Sequence, residues 1–235
     1  MKKIASILIF AIMVGFTAQK QEPNTLTKKE EKLGWKLLFD GKNPSQWRSA
    51  NQTGFPTKGW EIKEDCLVSG GGGNLVSKEE YGNFDLVWDW KMMDAGGNSG
   101  VKYFVKETGK DALGIEYQML DDSEHPWMKD GRMKPNDFHT VGAVYEIYPP
   151  SPNKIVKPVG QWNTSRVLSS GKHVEHWLNG VKVAEFERGS VDFNARIAKS
   201  KFKEIPNFGL HEKGLLLLQD HGSVVWFRNI KIRTL

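Results

Sequence analysis

Gly114-Ile115-Glu116-Tyr117-Gln118-Met119-Leu120-Asp121-Asp122 alternates polar with apolar residues and ends in two carboxylates. Successive side chains of a strand point to opposite faces, so Glu116 and Gln118 share one face. Ile115, Tyr117 and Met119 share the other, and this period of two predicts a half-buried β-strand. Charge on a wet face is ordinary, so the neighbours decide how to read it. Upstream lies the turn-rich segment Gly96-Gly97-Asn98-Ser99-Gly100, which feeds a second strand at Val101–Val105. Downstream lies a polar loop holding His125, Trp127 and His139. Carboxylate, amide, imidazole and aromatic groups at one sheet edge predict a site.

Outward from this stretch, most of the chain reads as short strands. Phe84-Asp85-Leu86-Val87-Trp88-Asp89-Trp90-Lys91 has the clearest alternation, with Phe84, Leu86, Trp88 and Trp90 inward. Folding is expected to begin near Trp35–Phe39, closed by the turn Asp40-Gly41. Further strands are expected at Trp60–Ile62, Cys66–Val68 and Ala143–Tyr148, and near the end at Leu215–Gln219 and Val224–Ile232. Asn179-Gly180 sits between His173–Leu178 and Val181–Phe186. Both central positions of a type I′ turn need positive φ, so this pair predicts a hairpin. Residues between Trp47 and Trp60 read as loop, and the run Gly70–Gly73 as a flexible connection. A phosphate cradle would need a Lys-Ser/Thr ending that is missing there. One short helix is expected over Asp192–Ser200, with Asp192 as its N-cap. Many turn-separated strands with little helix predict an all-β fold, an antiparallel sandwich.

Residues 1–18 combine Lys2 and Lys3 with an apolar run from Ile4 to Phe16 and the small residues Thr17-Ala18, the pattern of a signal peptide. No Cys follows that run, so no lipid anchor is expected, and the protein is expected to be periplasmic or secreted. Residues 19–32 read as a flexible lead-in, and folding is expected over 33–235. Removing residues 1–18 lowers the formal charge from +5 to +3, too mild and too interspersed for a nucleic-acid partner. The single Cys66 excludes a disulfide framework and a cysteine zinc site, and reads as a small buried hydrophobe.

The ordered set of segments resembles the 3-keto-disaccharide hydrolase domain family. The blocks are Gly34-Trp35-Lys36-Leu37-Leu38-Phe39-Asp40-Gly41, Tyr81-Gly82-Asn83-Phe84-Asp85-Leu86, Asn98-Ser99-Gly100-Val101 and Glu116–Asp122. Gly142–Tyr145, Gly160–Asn163, Trp177–Gly180, Leu218–Gly222 and Phe227–Ile230 continue it. The resemblance implies a jelly-roll sandwich of the concanavalin A-like lectin and glucanase type, with a concave sugar-binding face. It also implies cleavage of glycosides already oxidised to a ketone at C3. One departure stands out: many members carry Arg at the position of Phe104, and Lys102 is the nearby cation here.

A C3 ketone acidifies the C2 hydrogen, so elimination of the C1 oxygen needs a base, an enolate donor and an acid. Glu116 is the first candidate for base or acid, against a structural salt bridge. His221, at a strand end beside Gln219, is a second acid or base. Lys102 is a candidate oxyanion stabiliser. Gln118 and Asn98 are candidates for hydroxyl contacts, or else order their own surroundings. Asp122 and His125 either complete the site or bind a divalent ion. Arg228 is either an oxyanion clamp or a structural ion pair, and Tyr145 is either core or site. Trp127 is the aromatic expected to stack on a sugar ring. Neither His-Glu-x-x-His nor EF-hand spacing is present, so neither metal nor cofactor is assigned, although a cation on loop carboxylates stays open. The alternative function is a non-catalytic, lectin-like carbohydrate-binding module, which needs contacts but no titrating group at the reacting carbon.

Overall fold

The computed structural model describes residues 21–235; the expected signal peptide at 1–18 lies outside them. A short helix α1 (Lys28–Lys32) precedes strands β1 (Lys36–Leu37), β2 (Trp47–Ser49), β3 (Trp60–Lys63), β4 (Cys66–Ser69), β5 (Leu75–Tyr81) and β6 (Phe84–Met92). Then follow β7 (Asn98–Glu107), β8 (Ala112–Leu120), helix α2 (Pro126–Lys129), β9 (Asn163–Ser170), β10 (His173–Leu178) and β11 (Val181–Glu187). Helix α3 (Val191–Ile197), β12 (Gly214–Leu218) and β13 (Val225–Thr234) complete the order. One sheet runs β11-β10-β9-β6-β13-β4-β3, with β1 pairing on β13; the other runs β2-β5-β12-β7-β8. Neighbouring strands pair antiparallel, and the two sheets stack as a jelly-roll sandwich.

The alternation in β6 places Phe84, Leu86, Trp88 and Trp90 in the core, each at most 2% exposed. Ile115, Tyr117 and Met119 of β8 meet them from the opposite sheet; the Trp88 and Tyr117 rings pack edge-on with centroids 5.0 Å apart. Truncating one such buried aromatic typically costs about 3–5 kcal/mol, so these strands fix which face of β8 is left outward. Asn179 and Gly180 adopt φ of 47° and 82°, as the hairpin turn requires. Glu64 and Asp65 do the same at 49° and 57° and join β3 to β4. Cys66 is buried beside Val68 and Trp226.

Several expectations need correction. Among the described residues three short helices form, where one was expected. The N-cap of α3 is Ser190, whose side chain accepts from Phe193 N; Asp192 sits in the first turn and pairs with Arg196. Ala143–Tyr148 is not a strand: it makes isolated bridges only, because Glu146 turns the backbone at φ 66°. The expected loop after Trp47 begins with β2, which pairs with β5. In the expected lead-in, Thr27 and Glu30 form a capping box for α1, and Asn24 exchanges two hydrogen bonds with Asn229 on β13. His176 is fully buried and hydrogen-bonded to the Tyr103 hydroxyl at 2.8 Å. Burial lowers its pKa to about 3, so this core imidazole is neutral.

Candidate functional site

β7 and β8 pair so that Gly100 opposes Gln118 and Lys102 opposes Glu116. These residues share the outer face of the five-stranded sheet because Val101, Tyr103, Ile115 and Tyr117 take the core face. Lys102 Nζ lies 3.3 Å from Glu116 Oε2, with both side chains largely buried. Gly100 is what makes room for the carboxylate: a Cβ there would fall 2.7 Å from Glu116 Oε1. Burial pushes the Glu116 carboxyl above its ordinary value, while Lys102, Lys201 and His221 pull in the opposite direction.

β8 is an edge strand, and the chain closes it with a folded-over segment. Gly142 N donates to Gln118 O, Gln118 N to Ala143 O, and Tyr145 N to Glu116 O. That closure brings the loop after β8 over the polar face. Here a cavity of about 350 Å³ is lined by Asn98, Gln118, His125, Trp127, Tyr145 and His221 among others. His221 arrives from the end of β12, where Gln219 N donates to Gly100 O and Ser99 Oγ to Gln219 O. His125 caps α2, its Nδ1 accepting from Trp127 N. That bond puts the ring proton on Nε2. Burial also lowers the His125 pKa, which favours the neutral ring.

The buried oxygens Asn98 Oδ1, Gln118 Oε1 and Gln219 Oε1 have no hydrogen-bond partner among the described residues. Gln118 is oriented by its Nε2, which donates to His139 O at 3.1 Å. An unpaired buried acceptor is unfavourable by about 1–3 kcal/mol, so donors such as sugar hydroxyls have an energetic reason to enter.

Two expected site residues stand elsewhere. Arg228 is on β13, in the eight-stranded sheet, with its guanidinium 3.9 Å over the Trp162 ring and Nε 3.6 Å from Asp89. Strand order, invisible in the sequence, sends it to the opposite side of the sandwich from Glu116. Asp122 has turned from the cavity to hold the loop: it accepts from Val141 N at 2.8 Å and from Lys154 Nζ at 2.7 Å. His139, expected in the polar loop, and Lys201, unrecognised in the sequence, also contribute. His139 lines the cavity, yet its two ring nitrogens face Asp137 and Glu146 at 2.8 and 3.1 Å, which suits an orienting role. Lys201 lies 4.3 Å from the Tyr145 ring centroid and acts on Glu116 from a loop 85 residues downstream, where no local signal announced it. Phe104 is buried core, stacked under Arg188.

Among the described residues, one group of three potential metal ligands gathers within 4.8 Å, namely His173, Glu175 and Glu185. It lies on the β10–β11 hairpin of the other sheet, and Lys182 already pairs with both carboxylates.

The chain is an antiparallel jelly roll with a cavity against one sheet face, and its relatives are glycosyl hydrolase-like proteins. More narrowly, the chain belongs to the family of 3-keto-alpha-glucoside-1,2-lyase-like domains, whose model matches residues 34–233. It is 30% identical to a 3-keto-disaccharide hydrolase of Bacteroides thetaiotaomicron, over 96% of this chain and 87% of that protein. A solved Parabacteroides distasonis protein, provisionally named a glycosyl hydrolase, is 38% identical with a TM-score of 0.82. That likeness covers 91% of this chain and 100% of the other. A second such structure from the same organism is 32% identical with a TM-score of 0.64, covering 86% and 99%.

Proposed function

We propose that this protein cleaves the glycosidic bond of 3-keto-glycosides by elimination followed by hydration. The observation that carries the reading is the charge arrangement: one buried carboxylate beside a lysine, next to a cavity lined by three histidines and no carboxylate of its own. A direct glycosidase sets two carboxyl groups about 5–9.5 Å apart across the bond. Here the nearby acids are already engaged: Asp122 by Lys154, and Asp137 and Glu146 by His139. One carboxylate with imidazoles suits proton transfer at C2 instead.

In this scheme Glu116 takes the C2 proton, and the C–H electron pair forms the C2–C3 enolate. Lys102 and neighbouring donors stabilise the charge on the C3 oxygen. The enolate then reforms the ketone as a C1–C2 double bond develops and the C1–O bond breaks. His221 supplies the proton to the departing oxygen. Water adds across the double bond, so that the net reaction is hydrolysis. Asn98 and Gln118 accept from ring hydroxyls, His125 Nε2 donates to one, and Trp127 with Tyr145 supplies apolar surface.

The test is to incubate the protein with 3-keto-trehalose, 3-keto-lactose and the unoxidised sugars, each with and without chelator. Turnover is expected for the keto sugars; turnover of the unoxidised sugars alone overturns the assignment. Trp127→Ala is expected to raise KM about tenfold with little change in kcat, since an aromatic contact is worth about 0.5–1.5 kcal/mol. Steady-state kinetics on a keto sugar reads this directly, and a fall in kcat at constant KM contradicts a stacking role. The basic-then-apolar run at 2–16 supports export, so the keto sugar would be met outside the cytoplasm.

A further inference from the structure

A second, larger cavity of about 690 Å³ lies at the far end of the sandwich. It is bounded by the β5–β6 turn, the β9–β10 turn and the segment entering β12, whereas the site above gathers where β8 and β12 end. Arg188, directly after β11, is 7% exposed and forms part of its wall. Nη1 donates to Gly209 O and His211 O at 3.0 and 2.9 Å, and Nη2 to Gly171 O at 2.8 Å. The guanidinium also stacks 3.8 Å over Phe104. Every one of these partners is neutral, and the buried Nε has no partner among the described residues. A buried cation without a counter-charge is unfavourable, which is unusual unless something else supplies the charge.

The rest of the wall adds to the imbalance. Lys172 and Lys213 face a single acid, Glu212, and Asn83 and Asn194 add amide groups. The volume falls in the range that holds small organic ligands, well beyond what a bare oxyanion fills. We propose that this distal cavity binds an anionic ligand of saccharide size, its carboxylate, sulfate or phosphate group drawn to Arg188, Lys172 and Lys213. Guanidinium and ammonium groups recognise all three oxyanions through charge-assisted hydrogen bonds. The amide side chains complement sugar hydroxyls.

The proposal is independent of the reaction, so it is tested by binding. Isotope-labelled protein is titrated with D-glucuronate, D-glucose 6-sulfate, D-glucose 6-phosphate, inorganic phosphate and D-glucose, following backbone amide shifts. The sugar acid or sugar esters are expected to shift Asn83, Gly171 and Gly189, and the one that binds tightest identifies the oxyanion; neutral glucose leaves these amides unmoved. Lys172 and Lys213 are exposed, so Lys172→Glu with Lys213→Glu leaves the core untouched, and an unchanged Tm verifies that. This variant is expected to weaken the affinity at least about tenfold. Unchanged affinity in the variant, shifts gathered instead at His125 and His221, or inorganic phosphate binding more tightly than any sugar anion overturns the proposal.

Discussion

Glu116→Gln is expected to lower kcat by about 10²–10⁴-fold, the usual contribution of a positioned acid or base, while substrate still binds. The substitution keeps the shape of the side chain and its place over Gly100, but it removes the proton acceptor. Burial raises the Glu116 pKa, and its base form must be ionised to act. Turnover in the wild-type protein is therefore expected to rise with pH through a value above the ordinary 4.5, and the variant to lose that limb. The stability linkage has the opposite direction. A raised pKa means the folded state holds the proton more tightly than the unfolded chain, so Glu116 contributes most below 4.5. That contribution falls away as pH rises through the raised value. Isothermal titration with a keto sugar, alongside kinetics, separates the two functional readings: a lectin-like module would bind equally in both forms with no turnover in either.

Gly100→Ala is expected to lower kcat by about 10²-fold, because misplacing a catalytic group by about an ångström has that scale of effect. The added methyl carbon would stand 2.7 Å from Glu116 Oε1 and 3.1 Å from its Cγ. The obstacle is the end of a flexible side chain and not backbone, so the strand stays paired and the carboxylate moves. Loss of stability is expected to stay within about 1–3 kcal/mol, the range for overpacking a tight position. Tm and kcat measured together decide the matter. A large drop in Tm with normal specific activity would assign Gly100 to packing alone, and wild-type kcat would remove Glu116 from the chemistry.

The two substitutions probe one pairing from opposite strands, and its visibility in the sequence was uneven. Period-two alternation in β6 and β8 was legible because a half-buried strand must divide its side chains between core and solvent. The Asn179-Gly180 hairpin was legible because few residue pairs tolerate two positive φ values. The polar loop after β8 announced itself through His125, Trp127 and His139. Asp122 and Ala143–Tyr148 were misread for a shared reason. A loop's backbone path depends on what it folds over, and here the segment returns to bridge the edge of β8.

The chain's own order of residues determined that strands would dominate, which face of β6 and β8 turns inward, and that Glu116 and Gln118 point together. These follow from local sterics and the burial of apolar side chains, which each segment carries within itself. Strand order across the sheets did the rest. It set β7 beside β8, so that Lys102 meets Glu116, and it sent Arg228 to the other sheet. It also brought His221 to the cavity, and Lys201 to the ring of Tyr145, from far along the chain. Such neighbours are chosen by the packing of whole sheets, a balance summed over many residues that no single stretch encodes.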